Sequence, residues 1–339
     1  MIKDAIAQLV ERRNLTREQA EEVMLHIMRG EVSPTQISAF LIALRMKGET
    51  VHEIAGCARA MRANAIPVAP RRADLVDTAG TGGDRSGTFN ISTAAAFVGA
   101  AAGLAVAKHG NRAMSSRCGS ADLLQALGVK LDLSERQVAN CIDEVGMGFL
   151  FAPSLHPAMK HAIVPRREVG VRTIFNILGP LCNPAGAKIQ LLGVYSPDLT
   201  DLLGGVLHDL GTRSAFVVHG AGGIDELSTI GPNRVTRVSG DGVETFWLDP
   251  QDLGLARATV ADLQGGTPEE NAAIVRRVFE GERGPRRDIV LLNAAALLVA
   301  AGAAADMPGG LTMATAAVDS GAARRKVDEL VQATQGMAG

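Results

Sequence analysis

Aromatic residues are scarce in this 339-residue chain, at 3% overall with one Trp and one Tyr. Stacking platforms for single-stranded nucleic acid need exposed rings, so that class has little support. Charge of one sign is missing as well. With 34 basic and 36 acidic residues the formal net charge is -2, so no global field points to nucleic acid or anionic lipid. Anion binding has to be local. The four cysteines, Cys57, Cys118, Cys141 and Cys182, show no C-x-x-C spacing. They read as buried small hydrophobes in a reducing compartment, not as a disulfide frame or a zinc site. Long hydrophobic runs are also lacking: the most apolar stretch, 93–107, is Ala- and Gly-rich and falls short of the ~20 residues that span a bilayer. Met1-Ile2-Lys3-Asp4 leads straight into helical periodicity, without the basic segment and apolar block of a secretory signal. The expectation is a soluble cytoplasmic protein with neither membrane nor nucleic acid as partner. Hydrophobic residues nevertheless make up 47% of the chain, enough apolar surface to offset the ordering entropy of one large domain or two modest ones.

The first seventy or so residues carry repeated helix punctuation. Thr16 to Gln19 has capping-box spacing and Gly30 stops the helix that follows. Ser33-Pro34-Thr35-Gln36 offers an N-cap, a proline at the first helical position and a glutamine at the third, and Gly48 closes that helix. Thr50-Val51-His52-Glu53 repeats the device. Ile37, Phe40, Leu41 and Leu44 recur at helical spacing, so these helices must pack on each other or on a partner subunit. The prolines of 65–70 mark a linker. Beyond it the pattern becomes α/β. Strand candidates at 104–107, 147–151, 189–195 and 214–219 alternate with helical segments, which predicts a largely parallel sheet. Segments 234–238 and 244–248 straddle Gly240-Asp241-Gly242 as a hairpin. Helices around 289–301 and 322–333 close the chain.

Four constellations carry chemistry. Asp77-Thr-Ala-Gly80-Thr81-Gly82-Gly83-Asp84 is followed by Thr88-Phe89-Asn90-Ile91-Ser92-Thr93. It fits neither G-x-G-x-x-G nor G-x-x-x-x-G-K-[ST]. A lone G-T-G-G would be an ordinary turn, but a strand, clustered glycines and hydroxyls at the mouth of a helix favour a phosphate cradle. The second is Lys108-His109-Gly110-Asn111-Arg112-Ala113-Met114-Ser115-Ser116 with Gly119-Ser120-Ala121-Asp122, expected in a loop just past a strand, where open α/β sheets bind ligands. Third, Asp225-Glu226 follows Gly222-Gly223 at a strand end and suits Mg2+ if a polyphosphate lies nearby. Fourth, His156-Pro157-Ala158-Met159-Lys160 precedes Arg166, Arg172-Thr173 and a Gly179-Pro180…Asn183-Pro184 bend. Cations beside such a bend suit carboxylate recognition, and no thiolate pair accompanies His156 and His161 to make a zinc site.

The ordered motifs G-T-G-G-D, K-H-G-N-R-x-x-S-S, G-S-A-D, H-P-A-M-K and R-T-x-F-N-x-L-G-P-L-x-N-P resemble those of the anthranilate phosphoribosyltransferase family over essentially the whole chain. The resemblance implies a nucleoside phosphorylase-like fold, with a small α-helical N-terminal domain and a larger α/β domain built on a central, mostly parallel sheet. It implies boundaries of 1–66, joined in space by a helical segment near 165–185, and 73–339. It also implies a homodimer through the helical domain, and leaves association with anthranilate synthase open. The reaction implied is transfer of the phosphoribosyl group of phosphoribosyl pyrophosphate (PRPP) to anthranilate, in tryptophan biosynthesis.

Carried over by position, the resemblance puts PRPP on Gly80, Thr81, Gly82, Gly83, Asp84, Thr88, Asn90, Ile91, Ser92, Thr93, Lys108, His109, Gly110, Asn111, Arg112, Ser116 and Ser120. Anthranilate would meet Gly80, His109, Asn111, His156, Met159, Arg166, Gly179 and Pro180, with Arg166 facing its carboxylate. Mg2+ would be held by Ser92, Asp225 and Glu226. No residue acts as a nucleophile; Lys108, Ser92 and Mg2+ would stabilise the transition state. Gln125, where the family often has Glu, and the variable Arg117-Cys118 touch none of these contacts. Two alternatives remain at this stage: a pyrimidine nucleoside phosphorylase of the same fold, and a non-catalytic relative that binds nucleic acid.

Overall fold

The computed structural model describes residues 1–113 and 117–337. Four helices open the chain: α1 (Ile2–Val10), α2 (Arg17–Met28), α3 (Pro34–Lys47) and α4 (Val51–Ala63). Each of α2, α3 and α4 starts at the hydroxyl expected to cap it. Thr16, Ser33 and Thr50 accept the backbone N–H three residues on, and the Gln19, Gln36 and Glu53 side chains return the bond. Leu9, Met24, Ile27, Phe40, Leu41 and Leu44 face inward and are buried.

The linker is pinned rather than loose, since Ile66 N–H donates to Leu155 O at 2.9 Å and Val68 N–H to Pro184 O at 3.1 Å. After it come β1 (Leu75–Gly80), α5 (Ile91–Ala101), β2 (Ala105–Gly110), α6 (Ser120–Leu127), α7 (Glu135–Val145) and β3 (Met147–Phe151). Three short helices follow, α8 (Ala152–Leu155), α9 (Lys160–Val169) and α10 (Phe175–Leu178). Next are β4 (Ile189–Gly193), α11 (Asp198–Asp209), β5 (Ser214–His219), β6 (Asn233–Ser239) and β7 (Gly242–Leu248). Helices α12 (Pro268–Phe279), α13 (Pro285–Ala300), α14 (Met307–Asp319) and α15 (Ala322–Gly336) end the described chain.

The seven strands form one sheet in the order β3-β2-β1-β4-β5-β6-β7. The first five run parallel, and β6 and β7 add an antiparallel hairpin at one edge. One face packs on α5 and α13 through Phe97, Ile289 and Leu298, and α14 and α15 cover those helices from outside. The other meets α11, whose Leu203 and Leu207 share a core with the N-terminal helices. Helix α9 packs on α3 and α2, so the segment after β3 lies with the helical unit. The strand order reverses between β1 and β4, the point at which open α/β sheets present a ligand crevice.

One expectation is corrected here. Lys108, His109 and Gly110 lie inside β2, paired with Phe149, Leu150 and Phe151 of β3, and not in a loop beyond the strand. Pairing with β3 extends this strand through Gly110, and with β1 on its other side Lys108 and His109 are buried.

Candidate active site

The glycine loop leaves β1 at the centre of the sheet. A Cβ on Gly80 would lie 2.2 Å from Asp225 Oδ2, and one on Gly193, at the end of β4, would lie 1.4 Å from the Asp225 carbonyl oxygen. Side-chain-free strand ends are thus what admits the 222–226 turn to the crevice. Gly82 and Gly83 take φ of +69° and +76°, backbone that L residues with side chains adopt only under strain. The Gly82 N–H donates to Asp225 Oδ2 at 2.7 Å.

Beside this loop, carboxylate oxygens of Asp84, Asp225 and Glu226 lie within 4.8 Å of one another. Burial, then the Asp84 charge, pushes Asp225 up to about 7. Burial, then Asp225 and Asp84, raises Glu226 well above the usual carboxylate range. Asp84 Oδ2 and Glu226 Oε2 find no hydrogen-bond partner among the described residues. Three crowded acids with orphaned oxygens fit a hard divalent cation, whose charge would remove their repulsion. Asp84 had been assigned by sequence to PRPP alone; its place in this trio is new. Ser92, in the first turn of α5, meets the trio through its backbone, which hydrogen-bonds Glu226.

Behind the loop lies a buried polar layer. Lys108 Nζ donates to Thr78 O at 2.6 Å, between Asp77 and Glu226, and burial pushes it down to about 8. Burial pushes Asp77 up to about 6. Asp77 accepts the His109 N–H at 3.1 Å and Asn183 Nδ2 at 2.8 Å, and Asn183 also donates to Ala107 O at 2.8 Å. Sequence reasoning quoted Asp77 and Asn183 inside motifs but gave neither a role. They tie the Gly179–Pro184 bend to β1 and β2.

The opposite side carries two uncharged imidazoles. The rings of His109 and His156 lie 5.1 Å apart. Burial and then the neighbouring His156 push His109 down to about 3; burial pushes His156 to about 4. His109 hydrogen-bonds the Gly179 backbone and His156 that of Cys182, and both Nε2 atoms lack partners. Both imidazoles are therefore uncharged at pH 7. Arg166, on α9, stands 5.0 Å from the Phe175 ring centroid and has no acidic partner among the described residues. Burial lowers its pKa. An unpaired, partly buried guanidinium has the chemistry to take a carboxylate.

Most other candidates are already engaged. Thr81 Oγ1 accepts the Tyr195 N–H at 3.2 Å, and Thr88 bonds Ser86. Asn90 donates to Cys118 O at 3.1 Å and accepts from Asn271 at 2.9 Å. Ile91 is core, with its N–H on Phe89 O. Thr93 is buried with an unpartnered hydroxyl. Gly110 lets Ser120 Oγ approach to 2.2 Å of where a Cβ would stand. Asn111 accepts the Arg112 N–H at 2.7 Å and, through its carbonyl, the Ser120 hydroxyl at 3.3 Å. Arg112 turns toward α6, pairing with Asp122 at 2.9 Å and Gln125 at 2.9 Å. Met159 packs toward the helical core, and the buried Pro180 gives its carbonyl to Gln190 at 2.7 Å. Ser116 lies outside the described residues.

Both halves of this architecture match one class of enzyme. Residues 3–65 match the glycosyl transferase family, helical bundle domain, and residues 72–324 match the glycosyl transferase family, a/b domain. The chain is 56% identical to an anthranilate phosphoribosyltransferase of Moorella thermoacetica, covering 98% of each. It superposes on the crystal structure of the Thermus thermophilus anthranilate phosphoribosyltransferase with a TM-score of 0.93 at 48% identity, covering 98% of this chain and 99% of that one. The Saccharomyces cerevisiae enzyme, in complex with PRPP and Mg, gives 0.90 at 29% identity, with 99% and 98% covered. The chain belongs to the anthranilate phosphoribosyltransferase family and is a pentosyltransferase.

Proposed function

We propose that this chain transfers the 5-phosphoribosyl group of PRPP to the amine of anthranilate, releasing pyrophosphate and forming N-(5-phosphoribosyl)anthranilate for tryptophan biosynthesis. The observation that carries this reading is a pair of unlike clusters about the C-terminal ends of β1 and β2. An over-charged acidic trio behind a left-handed glycine loop stands on one side, and neutral imidazoles with an unpaired arginine on the other. The yeast relative, solved in complex with PRPP and Mg, supports the first cluster as the donor site.

On the donor side, the N–H groups of the glycine loop and the N-terminal turn of α5, with Ser92 and Thr93, meet the phosphates. Asp84, Asp225 and Glu226, with Ser92, would hold Mg2+, which when bound neutralises charge building on the pyrophosphate. The C1–O bond breaks and its electron pair leaves with pyrophosphate. The anthranilate nitrogen forms the C1–N bond with its lone pair from the opposite face, inverting C1, and the amine then sheds a proton to water. Arg166 pairs with the carboxylate, while His109 and His156 present neutral ring nitrogens to the amine side. An aromatic amine is unprotonated at neutral pH, so no strong base precedes attack. Positioning and electrostatics carry the rate, and no side chain acts as a nucleophile.

The test is loss of anthranilate fluorescence with purified protein, PRPP and Mg2+, against omission of each. Decay requiring all three establishes the transferase. No decay by folded protein sinks it, and nucleosides with phosphate would be the next substrates.

A homodimer through the helical domain forms part of the same reading. Between α1 and α3 lies an apolar groove of about 560 Å3 lined by Ile6, Leu9, Ile42 and Ala43. Val10 and Met46, on its rim, are 69% and 68% exposed. Ile42→Glu should shift the sedimentation coefficient to that of a monomer. No described surface singles out anthranilate synthase. No helix among the described residues is long and apolar enough to cross a membrane; four buried cysteines support the cytoplasmic setting proposed here.

A further inference from the structure

Arg172 is a cation that the roles above leave unused. It lies between α9 and α10, in the segment that packs with the helical unit. From that wall its side chain crosses the crevice to the glycine loop, where a guanidinium N–H donates to the Gly83 carbonyl. A Cβ on Gly83 would stand 3.2 Å from Arg172 Nη2, so the approach uses the missing side chain. The guanidinium also lies over the Tyr195 ring, 4.0 Å from its centroid. The Tyr195 N–H in turn donates to the Thr81 hydroxyl at 3.2 Å. One side chain from the acceptor wall therefore holds both flanks of the donor loop, Gly83 directly and Thr81 through Tyr195.

The consequence falls on the peptide joining Gly83 to Asp84. A trans peptide points its carbonyl and its N–H in opposite directions. With the carbonyl fixed on Arg172, the Asp84 N–H turns away from the helical wall, and among the described residues it has no acceptor. A free N–H beside two left-handed glycines is an anion-binding element.

We propose that Arg172 is a positioning residue for the phosphoribosyl donor, aiming the Gly83–Asp84 peptide at the diphosphate and locking the donor loop to the acceptor wall. The proposal rests on the reading of this loop as the PRPP cradle. Its test compares Arg172→Ala and Arg172→Lys with the parent. Three constants are measured: the KM for PRPP, the KM for anthranilate, and the Kd of inorganic pyrophosphate with Mg2+ by calorimetry. In Arg172→Ala the PRPP KM and the pyrophosphate Kd should rise about tenfold, with the anthranilate KM at saturating PRPP within about twofold. Lysine can reach the Gly83 carbonyl but cannot stack as a plane, so Arg172→Lys should recover part of the loss.

Tyr195 is the sole tyrosine of the chain. In a Trp247→Phe background its near-ultraviolet spectrum should differ between parent and Arg172→Ala, reporting loss of the stack. Unchanged pyrophosphate binding in a variant that melts like the parent would overturn the proposal, as would a larger effect on anthranilate than on PRPP. If Arg172→Ala does not fold, Arg172→Lys decides through the same constants. Failure of the underlying reading looks different, because the parent itself would then bind no pyrophosphate.

Discussion

Glu53 in the helical domain and Asp225 in the α/β domain are both buried carboxylates, yet their surroundings are opposite. Glu53 accepts Leu15 N–H at 2.9 Å, Thr50 N–H at 2.9 Å, the Thr50 hydroxyl at 2.9 Å and Lys47 Nζ at 2.8 Å. Its charge is balanced and its lone pairs are used. Asp225 takes one hydrogen bond from Gly82 and otherwise faces Asp84 and Glu226. A buried acid that is fully partnered organises the fold around it. One that is crowded by its own kind is kept for something the chain does not supply.

The contrast is broken most severely if removing the acidic pair leaves catalysis intact. Asp225→Asn with Glu226→Gln should lower kcat by about a thousandfold or more, because the leaving group loses its counter-charge. The melting temperature without Mg2+ should stay level or rise as like charges disappear. Near-parent turnover, or a clear fall in melting temperature, would put these acids in the same class as Glu53. Conversely, Glu53→Gln should cost about 3–5 kcal/mol in urea unfolding by stranding Lys47, with both KM values unmoved. A kinetic effect without a stability effect would reverse the assignment.

The uncharged imidazoles sharpen the comparison through pH. His156 has a folded pKa of about 4, below the ordinary 6.5. Its contribution to stability is therefore complete above pH 6.5 and is lost as pH falls through 4. Across that window it amounts to roughly 3 kcal/mol. His156→Gln should flatten the decline of the melting temperature between pH 6.5 and 4, and an unchanged slope would mean the ring is not buried neutral. The smallest effect expected is on the acceptor side. Arg166→Ala should raise the anthranilate KM about ten- to hundredfold, with the PRPP KM within about twofold, and a change confined to PRPP would move Arg166 to the donor wall.

What could be foreseen from sequence was local. The Thr16–Gln19, Ser33–Gln36 and Thr50–Glu53 boxes are written within four residues, and so is the tight turn between β6 and β7. The glycine loop was visible for the same reason. Helix α12 carried an equally local signal, Thr267-Pro268 with Glu270, that was passed over. Helix α14 was harder, since Pro308, Gly309 and Gly310 fill a first turn that only Asp306 caps. The acidic trio needed contact between residues more than a hundred positions apart, which no spacing reports. The burial of Lys108 needed knowledge that β2 is flanked on both sides.

The bare ends of β1 and β4 have one more consequence. Because Gly80 and Gly193 admit the Asp225 backbone between them, the donor centre takes its coordinates from hydrogen-bonded strands. The proposed acceptor contacts, apart from His109 on β2, come instead from α9 and the bends around it. The two halves can therefore drift at different rates. A protein engineer seeking a different aromatic amine would diversify residues around His156 and Met159 and leave the strand ends untouched. The expected libraries would change which ring is accepted while every member kept the same sugar donor.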